Sequence, residues 1–192
     1  MSPPALPAAV QAAYDRADAL GFRLSCEPDV GRLLAVLAAA VPAGGRILEL
    51  GTGVGVGLAW IVSGLGDRDD VEVVSVELDA DRAAAAEAAG WPGSVSIVVG
   101  DGAELVDTLG TFDLVFPDSP GGKVTNLDGT IAAVRPGGKL LVDDMDLDRH
   151  SDPDLRSGLL MVIDRLRVHP DLTSAELPFA SGVVVASRRA EA

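Results

Sequence analysis

Six acidic residues, Glu49, Glu77, Asp101, Asp118, Asp143 and Asp144, stand at the ends of short apolar runs. The first of them leads directly into Gly51-Thr-Gly-Val-Gly-Val-Gly57. A turn built on Gly51, Gly53, Gly55 and Gly57 can bend sharply and bring its backbone close to a ligand, because no Cβ stands in the way. The apolar stretch after it, Leu58-Ala-Trp-Ile-Val62, reads as a helix whose N-terminus faces the same ligand. Together these residues form a cradle for a nucleotide-like ligand, edged by carboxylates that accept hydrogen bonds. A plain strand-to-helix turn with no ligand is the competing reading of the glycines alone. Acidic caps on the following helices are the competing reading of the carboxylates, above all for Asp101.

The elements that must position these groups follow from periodicity. Ala5 to Leu20 has helical spacing and stops at Gly21, and a second helix starts in Ser25-Cys-Glu-Pro28 and ends at Pro42-Ala-Gly-Gly45. Five apolar runs then read as strands: 46–50, 71–78, 95–99, 112–116 and 139–142. Helices are expected at 58–62, 81–89, 103–109 and 124–134, with a turn at Arg135-Pro-Gly-Gly138. This alternation predicts a parallel sheet with helices on both faces. After a further helix from Leu155 to Val168, the runs 172–179 and 183–187 around Ser181-Gly182 predict an antiparallel hairpin. In such a sheet the ligand lies outside the carboxyl ends of the strands, where the six acids fall.

The spacing separates two ligand classes. A dinucleotide fingerprint, G-x-G-x-x-G, would need its third glycine at Val56 or Leu58, and neither fits. The pattern is instead E-x-G-x-G-x-G from Glu49, which resembles the first motif of class I S-adenosylmethionine (SAM) dependent methyltransferases. SAM has no pyrophosphate and presents an amino acid, a sulfonium and a ribose. The resemblance implies a Rossmann-like methyltransferase fold: a mostly parallel seven-stranded sheet with a C-terminal antiparallel hairpin. It also implies a cofactor site formed by Glu49, Gly51, Thr52, Gly53, Gly55, Glu77, Leu78, Asp101, Gly102 and Asp118. Glu77, at the end of the second strand, can accept both ribose hydroxyls, and Asp101 with Gly102 sits where an adenine edge would be contacted.

More narrowly, residues 25 to 188 are similar to the cation-dependent O-methyltransferases of the catechol and caffeoyl-CoA type. The similarity is carried by Pro28-Asp-Val-Gly-Arg-Leu-Leu34, Val76-Glu-Leu-Asp79, Phe116-Pro-Asp118, Arg135-Pro-Gly-Gly138, Val142-Asp-Asp144 and Leu177-Pro-Phe-Ala-Ser-Gly182. This resemblance implies that Asp118, Asp143 and Asp144 hold Mg2+ or another divalent cation. The cation would bind both oxygens of a small vicinal-diol or aromatic acceptor and lower the pKa of the attacking hydroxyl. Two positions depart from the family: Asp144 replaces its asparagine, and Gly121 replaces its lysine base. Lys123, two residues on in a glycine-rich loop, and His150, after the fifth strand, are the candidate catalytic bases beside Asp118. A surface lysine and an exposed loop histidine are the readings against them. A metal-independent methyltransferase and a SAM- or S-adenosylhomocysteine-binding protein without transferase activity are the alternatives. An NAD-dependent dehydrogenase is disfavoured by the glycine spacing and the hairpin.

Composition narrows the partners. With 192 residues the expectation is one domain over 1–192, with 1–24 as a peripheral N-terminal helix. A net charge of −14 with only two lysines, Lys123 and Lys139, argues against a nucleic-acid partner. One cysteine, Cys26, excludes an intrachain disulfide. No apolar run approaches the length of about 18 residues needed to span a bilayer. A cytoplasmic protein with a small-molecule substrate and no membrane partner is expected, and the apolar first helix allows a homodimer. Tyr14, Phe22, Phe116 and Phe179 are the aromatics available to sandwich a flat substrate.

Overall fold

The structure, a computed structural model, describes residues 5–190. In chain order its elements are α1 (Ala8–Ala19), α2 (Pro28–Ala39), β1 (Arg46–Leu50), α3 (Val56–Leu65), β2 (Glu72–Glu77), α4 (Ala80–Glu87) and β3 (Val95–Val99). Then follow α5 (Gly102–Leu105), β4 (Phe112–Pro117), α6 (Pro120–Lys123), α7 (Leu127–Ala133), β5 (Val134–Val142), α8 (Pro153–Val168), β6 (Leu172–Leu177) and β7 (Val183–Arg188).

The strands form one seven-stranded sheet in the order β3-β2-β1-β4-β5-β7-β6. β1 to β5 run parallel, and β7 enters antiparallel between β5 and β6. The Rossmann-like fold expected from the sequence is the fold observed. The chain leaves β1 for β2 and β3, then returns to place β4 on the other side of β1. That reversal opens a crevice at the carboxyl ends of β1 and β4, the usual ligand position in a doubly wound sheet.

Strand alternation divides the core in two. Ile47, Val73, Leu114 and Phe116 face α1, α2 and α3, whereas Leu48, Leu50, Val74, Val76 and Val115 face the layer of α7 and α8. Both faces are covered, so the central strands read as continuous apolar runs. α2 and α3 approach closely because Gly31 lies against the Trp60 ring and Gly64 against the Ala35 carbonyl. α1, expected at the periphery, buries Val10, Ala13 and Ala17 in the first core cluster.

Three local readings need correction. The expected helix over 124–134 is a shorter α7 that starts after the left-handed Asn126, whose side chain caps Gly129 N at 3.1 Å. The expected turn at 135–138 lies within β5, where the register with β4 jumps between Phe112↔Val134 and Leu114↔Lys139. The extra residues loop out at Gly137, φ 81°, and the strand resumes. Pro28 is in the first turn of the second helix, as expected, but Ser25 and Cys26 lie outside that helix and Glu27 is its extended N-cap.

Candidate active site

The glycine turn is fixed from below by β2. Gly51 N and Thr52 N both donate to Val76 O, at 2.8 and 3.1 Å, and Gly53 N donates to Glu77 Oε2 at 2.7 Å. The other Glu77 oxygen accepts from Asp79 N at 3.0 Å, so the carboxylate is immobilised on both oxygens while lone pairs remain for a ligand. Gly55 caps α3 with φ 91°, a left-handed conformation that side-chain-bearing residues seldom adopt. From outside, Arg16 of α1 clamps the turn through Nε to Val54 O at 2.7 Å.

A cleft of about 330 Å3 opens above this turn. Of the residues read from the sequence as cofactor contacts, Gly51, Thr52, Gly53, Glu77, Leu78, Asp101, Gly102 and Asp118 stand in its wall. Glu49 and Gly55 do not: Glu49 is buried on the α3 side of β1, and Gly55 faces Arg16 and Trp91. Asp101 both caps α5, accepting from Ala103 N at 2.8 Å, and borders the cleft, so its two readings are compatible. Leu78 is 71% exposed and offers an apolar wall beside Glu77. The sequence reading missed Leu24, Ser25 and Cys26 and gave Phe22 to the substrate; all four close the cofactor cleft from the connection between α1 and α2. The motifs around them carry no trace of this role, because an extended connection has no periodicity that marks which side it buries.

Past β4 and β5 the acids converge. Carboxylate oxygens of Asp118, Asp143 and Asp144 lie within 4.8 Å of one another. Burial above all raises the Asp118 pKa, with Asp143, Asp144 and Glu49 adding to the rise and Lys123 opposing it. Asp143 is raised first by burial and next by Asp144, against hydrogen bonds from the Ser181 hydroxyl and from Asp144 N. Asp144 sits at φ 62°, a left-handed position that Asn and Asp tolerate better than other side chains. The exchange with the family's asparagine is therefore conformationally cheap.

Lys123 is not a surface residue on a flexible loop. It is 5% exposed, and its Nζ donates to Asp143 O at 3.1 Å and lies 3.5 Å from Asp144 Oδ2. The cause is the kink in α6, where Gly121 is extended (ψ 117°) and Gly122 left-handed (φ 89°), which turns the lysine inward. The loop is pinned by Ser119 Oγ to Gly121 O, Gly122 N to Thr125 O and Thr130 Oγ1 to Gly122 O, at 2.9, 2.7 and 2.6 Å. His150 is half-buried, with Nε2 2.9 Å from Asp144 O. A carbonyl only accepts, so Nε2 carries the hydrogen, and in the neutral ring Nδ1 presents a lone pair.

Lys123, Asp144 and His150 border a second cavity of about 400 Å3 that adjoins the first. The two share Leu24, Ser25, Cys26, Asp118, Ser119 and Pro120. No Phe, Tyr or Trp lines the second cavity among the described residues, so the expected sandwich of such side chains is not formed. Phe22 packs over Gly53 in the first cleft, Tyr14 donates to Cys26 O at 2.8 Å, Phe116 is fully buried, and Phe179 lines neither cavity. Aliphatic Leu24, Val124, Leu155 and Leu159 form the apolar wall instead.

Residues 48–145 match the profile of the "Methyltransferase domain" family. A protein of Mycolicibacterium smegmatis named "Putative O-methyltransferase" is 33% identical over 193 residues, covering 94% of this chain and 90% of its own. Among solved structures, cofactor-bound Rv0187 from MTB superposes with a TM-score of 0.82 at 27% identity, covering 97% and 92% of the two chains. The O-methyltransferase TomG from Streptomyces achromogenes, solved in complex with SAM, shares the fold with a TM-score of 0.79 at 24% identity over 96% and 91% of the chains. The glycine turn on β1, the sheet with its antiparallel hairpin and these relatives agree: the chain belongs to the class I SAM-dependent O-methyltransferases.

Proposed function

We propose that this enzyme moves a methyl group from SAM to a hydroxyl of a small acceptor held in the second cavity, with a divalent cation at Asp118, Asp143 and Asp144. The observation that carries this reading is the junction of the two cavities at Asp118, where the acidic group and Lys123 meet. SAM is assigned to the cleft over the glycine turn, with its ribose at Glu77, its adenine toward Asp101 and Gly102, and its amino-acid end over Gly51 to Gly53. The donor set fits a hard cation: three carboxylates close together, two of them with pKa values raised by burial and mutual repulsion that a positive charge would relieve. When bound, such a cation supplies charge neutralisation and lowers the pKa of a coordinated hydroxyl.

The chain's own residues do the rest. Glu77 and the glycine turn hold the cofactor, and the aliphatic wall of Leu155 and Leu159 keeps water from the acceptor. Lys123 is assigned as the base, in place of the lysine that the family keeps at the position of Gly121: its ammonium gives one proton to solvent as the acceptor binds, and the neutral Nζ then takes the acceptor's hydroxyl proton and becomes an ammonium again. His150 orients the Asp144 backbone through Nε2. Positioning supplies most of the rate, since the methyl donor is already activated.

The test is calorimetric titration of SAM with and without Mg2+, followed by turnover on a panel of catechols and aliphatic vicinal diols with and without chelator. SAM binding with chelator-sensitive turnover is the expected result. Undiminished turnover in chelator would overturn the cation while leaving the transferase reading in place.

A further inference from the structure

Beneath the glycine turn runs a line of three polar side chains that takes no part in the acceptor cavity. Alternation along β1 places Glu49 on the α3 face of the sheet, and Ser75 is its register partner on β2. The Ser75 hydroxyl oxygen lies 2.5 Å from Glu49 Oε2, and Thr52 Oγ1 stands 2.5 Å from the same Ser75 oxygen. Glu49 and Ser75 are fully buried, whereas Thr52 stands in the wall of the cofactor cleft. Oε1 of Glu49 has no partner among the described residues. The groups acting on this carboxyl are themselves acidic: Glu77 on β2, Asp118 past β4, and the Cys26 thiol ahead of α2. From α3 comes Gly57, where a Cβ would overlap Oε1. Burial above all pushes the Glu49 pKa up to about 8, with the Ser75 hydrogen bond opposing and Glu77 adding to the rise.

Each hydroxyl has one hydrogen, so the line can point only one way at a time. When Glu49 is protonated on Oε2 it donates to Ser75, Ser75 donates to Thr52, and the Thr52 O–H is free for a ligand. When Glu49 is ionised, Ser75 and Thr52 both turn toward it, and Thr52 offers lone pairs alone. We propose that Glu49 is a positioning residue of the cofactor site, which sets through Ser75 whether Thr52 donates to, or accepts from, the amino-acid end of the bound cofactor. Near neutral pH the donating arrangement prevails, so Thr52 meets the acceptor at that end, the cofactor's carboxylate. The inference rests on the assignment of SAM to this cleft.

The experiment is calorimetric titration of SAM between about pH 6.5 and about pH 9.5 on the wild type, Glu49→Gln, Ser75→Ala, Thr52→Val and Thr52→Ser. The cofactor's own amino group titrates alike in all of them, so the difference between wild type and Glu49→Gln isolates the relay. The amide of the Glu49→Gln variant keeps a donor toward Ser75 and cannot ionise. The wild type is expected to lose about tenfold more affinity than Glu49→Gln between about pH 7 and about pH 9, the worth of one hydrogen bond to a charged group. Thr52→Val should weaken SAM by about tenfold at neutral pH and Thr52→Ser should retain wild-type affinity, whereas Ser75→Ala cuts the line and leaves the Thr52 O–H free at every pH, so its pH curve should follow that of Glu49→Gln. Parallel pH curves for wild type and Glu49→Gln, or for wild type and Ser75→Ala, would overturn the inference. Melting of each unliganded variant separates lost fold from lost affinity. If Glu49→Gln does not fold, the pH curve of Ser75→Ala against that of wild type decides. A wild type that binds no SAM at any pH removes the site assignment itself. SAM binding that no variant alters removes only the role of Glu49.

Discussion

Lys123 brings the one buried cationic side chain among the described residues to the acidic group, and its amine is held by Asp143 O and Asp144 Oδ2. Lys123→Met, similar in length and without the amine, is expected to lower kcat by about 10²- to 10⁴-fold, the range for losing a general base. SAM affinity should stay within about twofold in the same variant, because Lys123 lies outside the cofactor cleft. His150→Ala, which removes a hydrogen bond to a backbone carbonyl, should cost less than about tenfold in kcat. Steady-state kinetics beside calorimetry reads all three. Glu49 makes a separate prediction about stability. Its folded-state pKa of about 8 lies above the ordinary value of 4.5, so the folded protein binds the extra proton. Its contribution is fully present below about pH 4.5 and is lost as pH rises through about 8. Thermal melts of the unliganded protein should therefore show the wild type losing stability relative to Glu49→Gln across that window, by several kcal/mol in all, at roughly 1.4 kcal/mol per pH unit.

The elements differ in how much of their role their own sequence declares. The strands and the glycine turn were legible, because buried parallel strands are apolar along most of their length and the turn must lack Cβ atoms. The acidic strand ends follow from the same frame, since each strand's last residue is delivered to one edge of the sheet. What the sequence does not declare is direction within that edge. Glu49 lies one residue inside β1 and points down, away from the cleft, while Glu77 ends β2 and forms part of the cleft wall. Lys123 was assigned to the site only as one of two readings, because its position depends on a kink at Gly121 and Gly122 that no periodicity encodes. The turn after β1 also carries a packing constraint apart from any ligand. Gly57 has ordinary helical geometry, yet a methyl there would overlap Glu49 Oε1 and press on Phe116 at 3.3 Å. Gly57→Ala is expected to destabilise the fold by about 1–3 kcal/mol, the cost of overpacking, despite alanine's higher helix propensity. Denaturant unfolding would show it, and a neutral result would mean that Glu49 can swing aside.

For the molecule as a whole the net charge is −14, and at one edge of the sheet Asp118, Asp143 and Asp144 are gathered with Lys123 as the ion-pair partner of Asp144. That arrangement stores affinity for positive charge, whether sulfonium, ammonium or metal ion, and disfavours the polyanionic partners already argued against by the scarcity of lysine. The short connection from Leu24 to Cys26 is tied down where it enters α2, by Tyr14 to Cys26 O and by the ion pair of Glu27 with Arg149. It presents one side to each cavity. A wall common to two chambers makes their occupancies sequential. Filling the cofactor chamber stiffens the partition against which the acceptor must pack, so catalysis should follow a compulsory order, with SAM entering first and the demethylated product leaving last. Initial-rate patterns would then show S-adenosylhomocysteine competing with SAM but acting noncompetitively toward the acceptor, and in Leu24→Gly, with the partition loosened, that order should relax toward random entry.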